Sequence, residues 1–167
     1  MSESKQILVL GVGNVLLADE GVGVHTVRRL MEEYDFPPCV KLVDGGTLGV
    51  SLMEFIQDCD YLIVIDAVRG GHEPGSVYRL EEEGLRKSLG MSDSMHQVDL
   101  VDTLIMCDLA AGKRPDAVVF GMEPKEIPMD ALNPELSEPG KASQEKLCNA
   151  VIEEIERVSG QKVLRKK

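Results

Sequence analysis

A chain of 167 residues suits one domain, able to bury roughly 70% of the surface its unfolded form exposes. A formal net charge of −11, no Trp and only three Phe and three Tyr argue against a nucleic-acid partner, which needs clustered Lys and Arg and aromatic stacking platforms. No apolar run approaches the ~18 residues of a membrane span, and four scattered cysteines (Cys39, Cys59, Cys107, Cys148) without a CxxC pair read as reduced packing residues, so a cytoplasmic location is expected.

The segment from Met1 to Gln6 leads directly into the first strand, which leaves no room for a secretory leader. Ile7-Leu8-Val9-Leu10 is a branched apolar run without polar alternation, the pattern of a strand buried on both faces of a parallel sheet. It stops at Gly11-Val12-Gly13-Asn14, and Asp19-Glu20-Gly21 follows a short apolar loop. Val24, Val27, Leu30, Met31 and Tyr34 then recur at helical spacing, and Phe36-Pro37-Pro38 ends that helix. A second strand, Val40 to Val43, runs into Asp44-Gly45-Gly46-Thr47, where Thr47 can cap a helix carrying Leu48, Leu52, Phe55 and Ile56. Tyr61 to Ile65 is a third strand and ends in Asp66.

This strand–helix alternation predicts right-handed parallel crossovers: a single α/β domain, a three-layer α/β/α sandwich on a mostly parallel twisted sheet. Arg69 to Gly75 reads as a turn-rich loop, Ser76 to Leu80 as a short edge strand, and Glu81-Glu82-Glu83 as a solvated acidic face. Ser94 to Gln97 has capping-box spacing before a helix over Val98, Val101, Leu104 and Ile105. Ala117 to Phe120 is a further buried strand. Pro124, Pro128, Pro134 and Pro139 predict a loop up to Gly140. Leu147, Val151, Ile155 and Val158 mark the last helix, closed by Gly160, and residues 161–167 read as a basic tail whose Arg165-Lys166-Lys167 is a frayed, solubilising end.

Three strands therefore end at or just before a carboxylate, and the carboxyl ends of parallel strands are where open α/β sheets place ligands. Glu20, Asp66 and His96 would give two oxygens and one nitrogen, a set suited to a divalent first-row ion with open positions. An imidazole in the first turn of a helix is kept neutral by the helix dipole, the form that binds metals. Each also has a plainer reading: Glu20 as an acid at a helix start, Asp44 as a turn residue, His96 as a helix-start residue. His25 and His72 suit surface or packing roles. GVGNVL approximates a dinucleotide fingerprint, but Leu16 stands at the third glycine position, which leaves a Rossmann-like nucleotide-binding protein as the alternative. With no GxSxG, P-loop or HExxH, a hydrolase here would use water as nucleophile.

LVLGVGNVLLADEGVG (Leu8 to Gly23), DGGTLG (Asp44 to Gly49), LIVIDAV (Leu62 to Val68), the His96-Gln97 pair and Gly121-Met122-Glu123-Pro124 together resemble the endopeptidases that mature the large subunit of nickel–iron hydrogenases. The resemblance implies an α/β/α protease that removes a C-terminal extension from the large-subunit precursor after nickel insertion. It implies Glu20, Asp66 and His96 as nickel contacts and Asp44 as the other functional acid. The nickel would belong to the precursor rather than to the enzyme, and the segment from Met122 to Gly140 would help frame the precursor groove. A monomer is expected, and a non-catalytic assembly chaperone is the second alternative.

Overall fold

The computed structural model describes residues 5–46, 56, 58–81, 115–125 and 132–167. Its centre is a five-stranded sheet. Strands β1 (Ile7–Val12), β3 (Val40–Gly46), β4 (Tyr61–Ala67) and β6 (Asp116–Met122) run parallel, and β5 (Val77–Glu81) pairs antiparallel with β6. The spatial order β3-β1-β4-β6-β5 puts β1 between β3 and β4, and the short β5 at the edge. A two-residue strand β2 (Tyr34–Asp35) pairs antiparallel with β7 (Leu164–Arg165).

Side-chain parity explains the apolar runs. Alternate residues of one strand point to opposite faces. Ile7, Val9, Ile63, Ile65, Val118 and Phe120 pack with Val22, Val27 and Leu30 of helix α1 (Val22–Glu33) and with Leu147, Val151 and Ile155 of helix α2 (Glu138–Ser159). Leu8, Leu10, Leu62, Val64 and Val119 form a second buried cluster on the other face with Ile56, itself a helical residue. A sheet covered on both faces needs both parities apolar, so the central strands β1, β4 and β6 show no polar alternation. The expected α/β sandwich is therefore present, and no helix among the described residues is long and apolar enough to cross a membrane. Cys39, Cys59 and Cys148 are buried, and burial pushes the Cys148 thiol up to about 11, as suits packing cysteines. The helices expected after Thr47 and Ser94 lie outside the described residues, apart from Ile56.

Two expectations are corrected. The loop expected to reach Gly140 ends earlier: Ser137 caps α2, its Oγ accepting from the Gly140 N–H at 3.2 Å, and Pro139 sits in the first turn. Proline is tolerated there because its missing N–H would have had no partner within the helix. The basic end is not frayed. Its β7 pairing is joined by Arg165 Nη2 to Glu33 Oε1 at 2.9 Å, by Lys166 Nζ to the Met31 carbonyl at 2.9 Å, and by the Arg165 guanidinium over the Tyr34 ring.

Candidate functional site at the carboxyl end of the sheet

After β1 the chain turns at Gly13, whose φ of 138° is open only to glycine without strain, and whose amide donates to the Gly46 carbonyl at 2.8 Å. A short 3-10 turn, Ala18–Gly21, then leads directly into α1. Ala18 is left-handed at φ 48°, a conformation that costs a non-glycine residue on the order of 1 kcal/mol. Its amide donates to the Asn133 carbonyl at 2.7 Å, while the Asn133 amide donates to the Leu16 carbonyl at 2.9 Å. The segment before α2 thus lies against the loop that carries Glu20.

Helix α1 begins hard against the strands. A Cβ on Gly23 would stand 2.0 Å from the Ile65 carbonyl oxygen and 2.3 Å from that of Val12, so only glycine permits this approach. Glu20, three residues earlier, and Asp66, one residue beyond Ile65, are brought to the same corner of the sheet. Asp66 is 3% exposed, with its Oδ1 accepting from the Ala67 amide at 2.8 Å. Glu20 is ion-paired through Oε1 to the Nη2 of Arg69, which follows Asp66 by three residues.

Asp44 lies at the same end of the sheet but apart from that corner. Gly11 is level with Asp44 on one side and Ile65 on the other, so Asp44 and Ile65 share the α1 face while Asp66, one step on, has the opposite parity. Two strand spacings, roughly 10 Å, separate β3 from β4. The Asp44 Oδ2 accepts from Arg28 of α1, at 2.9 Å from Nε and 2.8 Å from Nη2, and Oδ1 accepts from the Gly46 amide at 3.1 Å. A register shift between Gly11 and Val12 accommodates the Gly45-Gly46 turn. His96 lies outside the described residues. Among the described residues no group of three His, Cys, Asp or Glu side chains is placed to hold a metal ion. The two acids at the Glu20 corner supply hard oxygen donors, which fit a borderline divalent ion when an imidazole completes the set.

Two other histidines keep the plain roles expected of them. His25 on α1 has its Nε2 buried with no hydrogen-bond partner among the described residues, and burial, then the Arg28 charge, lowers its pKa. His72 shares a 3.1 Å contact between Nδ1 and the Tyr78 hydroxyl.

Asp19, Arg69 and Glu123 carry no site role in the sequence analysis, yet they build this corner. Asp19 is 1% exposed and accepts from the Lys125 amide at 2.8 Å, the Ser137 amide at 2.9 Å and the Ser137 hydroxyl at 2.6 Å. Glu123 is 6% exposed and its Oε1 accepts from the Gly70 amide at 2.9 Å, the His72 amide at 3.0 Å and the Tyr78 hydroxyl at 2.7 Å. Burial, with the Glu123 hydrogen bond next, pushes the Tyr78 phenol up to about 12, so it remains a donor. Buried acids surrounded by backbone N–H groups are the signal to look for, but their partners are distant in sequence.

A family model described as hydrogenase maturation protease matches residues 24–154. The hydrogenase expression/formation protein HoxM of Azotobacter vinelandii is 36% identical over 148 residues, covering 88% of this chain and 70% of that one. The hydrogenase 2 maturation protease of Escherichia coli (strain K12) is 37% identical over 136 residues, 80% of this chain and 76% of that one. Among solved structures, the hydrogenase maturating endopeptidase HybD from E. coli superposes with a TM-score of 0.84 at 32% identity, covering 96% of this chain and 98% of the other. The [NiFe] hydrogenase maturation protease HybD from Thermococcus kodakarensis does so with a TM-score of 0.75 at 25% identity, over 90% and 99%. With the fold and these matches in agreement along most of its length, the chain belongs to the hydrogenase maturation protease family.

Proposed function

We propose that this protein is the endopeptidase that removes the C-terminal extension of a nickel–iron hydrogenase large-subunit precursor once nickel has been inserted. The observation that carries the reading is the Glu20–Arg69 ion pair: it ties the acid on the turn before α1 to the segment that leaves β4 at the buried Asp66, at the sheet end where α/β folds bind ligands, in a chain of this family. In this reading Glu20, Asp66 and His96 contact nickel that arrives as part of the substrate. Three protein donors leave positions for the precursor's own groups, so nickel loading is what the enzyme reads before cutting. Nickel supplies polarisation of a carbonyl and a fixed docking point when the precursor presents it.

The remaining work falls to the chain. Asp44 is the second functional acid, held by Arg28 and the Gly46 amide; Oδ2 takes both Arg28 donors, while Oδ1, which takes the Gly46 amide, keeps a further acceptor position for a water or a substrate N–H. The segment tied to the Glu20 loop through Leu17 and Asn133 forms a wall for the precursor, with Leu16 and Leu132 exposed on it. The partner is the large-subunit precursor, met as a monomeric enzyme in the cytoplasm.

The test is mass spectrometry of a purified large-subunit precursor incubated with the protein, with and without nickel. Shortening at the C-terminus only when nickel is loaded is expected. Glu20→Gln should keep the wild-type circular dichroism spectrum and stop that shortening. Binding without any shortening would make the protein a chaperone, and full processing by Glu20→Gln would remove Glu20 from the site.

A further inference from the structure

The acid proposed to meet nickel already has a cation. Arg69 Nη2 is paired with Glu20 Oε1, with the two side chains 38% and 23% exposed. The guanidinium is not carried on a loose loop. Immediately after Arg69, the buried Glu123 carboxylate takes the amides of Gly70 and His72, and the Glu123 backbone accepts from Gly75 and donates to Ser76, both at 2.8 Å. Gly70 lies so close to the Tyr78 ring that a Cβ there would stand 2.8 Å from it. One buried acid thus fixes the turn from which Arg69 reaches across to Glu20.

A guanidinium is charged at every accessible pH and binds a carboxylate strongly through its planar N–H fork. A divalent ion arriving at Glu20 must displace Arg69 and then sit within a few ångströms of its positive charge. For a free hydrated ion only the bonds to the site's own donors offset that cost. For nickel embedded in the precursor, the contacts between two polypeptides do. We propose that Arg69 is a specificity-determining residue: it occupies Glu20 as a built-in counter-ion, so that the site rejects free divalent cations and opens to metal presented by the precursor. This rests on the reading of Glu20 as a metal-contacting acid.

Calorimetric titration of the full chain with cadmium chloride alone tests it. Arg69→Ala should bind cadmium about tenfold more tightly than wild type, and Arg69→Lys, which keeps a charge, should stay near wild type. Glu20→Gln should bind more weakly than either. Unchanged or weaker binding by a folded Arg69→Ala overturns the role of Arg69 while leaving a weakened Glu20→Gln to stand for the site; binding by no variant overturns the role of Arg69 and the metal site together. Wild-type affinity in Glu20→Gln instead removes Glu20 as a ligand, and the role of Arg69 with it. Processing offers a second measurement: free cadmium should inhibit Arg69→Ala at about a tenfold lower concentration than wild type, and equal inhibition counts against the proposal.

Discussion

Neighbouring acids on the Ala18–Gly21 turn do opposite work. Glu20 points to the rim, whereas Asp19 turns inward and accepts three hydrogen bonds from Lys125 and Ser137, residues more than a hundred positions away. A carboxylate that only accepts, surrounded by donors, is a fixed strut between the Glu20 loop and the start of α2. Asp19→Ala would leave those donors without acceptors, at about 1–3 kcal/mol. The melting temperature should fall by several degrees in a thermal circular dichroism scan, with Asp19→Asn in between. Both acids stand side by side in the sequence, and nothing in their order distinguishes the strut from the candidate ligand. That difference lives in long-range packing, and so does the Glu123 anchor of the Arg69 turn. Glu20, Asp44 and Asp66 were legible as candidates because each closes or follows a buried strand.

At the scale of elements the sequence was more readable. Continuous apolar runs mark β1, β4 and β6, since both faces of each strand need apolar side chains, and the shorter apolar stretch before Asp44 marks β3. The Leu147, Val151 and Ile155 spacing marked α2, and Gly160 closes it at φ 70°. The start of α2 is harder to read, because Pro139 looks like a breaker although proline fits the first turn. What cannot be read from periodicity is how closely two elements approach. Helix α1 touches the carbonyls of Val12 and Ile65 at Gly23, and a Cβ on Gly11 would in turn stand 2.4 Å from the Gly23 carbonyl oxygen. Gly23→Ala should therefore push the start of α1 off the sheet. An expected loss of about 3 kcal/mol or more, measured by urea unfolding, should be accompanied by loss of processing, because Glu20 precedes that helix by two residues.

Across the whole molecule, one acid ties three elements together. Glu154 of α2 is 6% exposed and accepts from Tyr61 of β4 at 2.6 Å, from Arg79 of β5 at 2.9 Å, and from Arg157 one turn on. Burial alone would raise its pKa, but the hydrogen bonds from Arg157, Arg79 and Tyr61 outweigh that and bring it from 4.5 down to about 2. A carboxyl held lower in the folded than in the unfolded chain stabilises fully above the unfolded value and loses that contribution as pH falls towards the folded one. Urea unfolding should show stability dropping between about pH 4.5 and pH 2. Glu154→Gln should flatten that drop and cost on the order of 2 kcal/mol at pH 7, where Arg157 and Arg79 lose their pairing with a buried carboxylate while Arg79 keeps Glu81.

The pairing of β2 with β7 sets where a handle can go. Helix α1 descends from the Glu20 corner to Tyr34, so Arg165 is clamped at the pole opposite the acids, near where Ile7 enters the sheet. Anchoring the protein to a sensor chip or bead through Lys167 would orient the acidic rim outward, free to meet a bulky folded substrate.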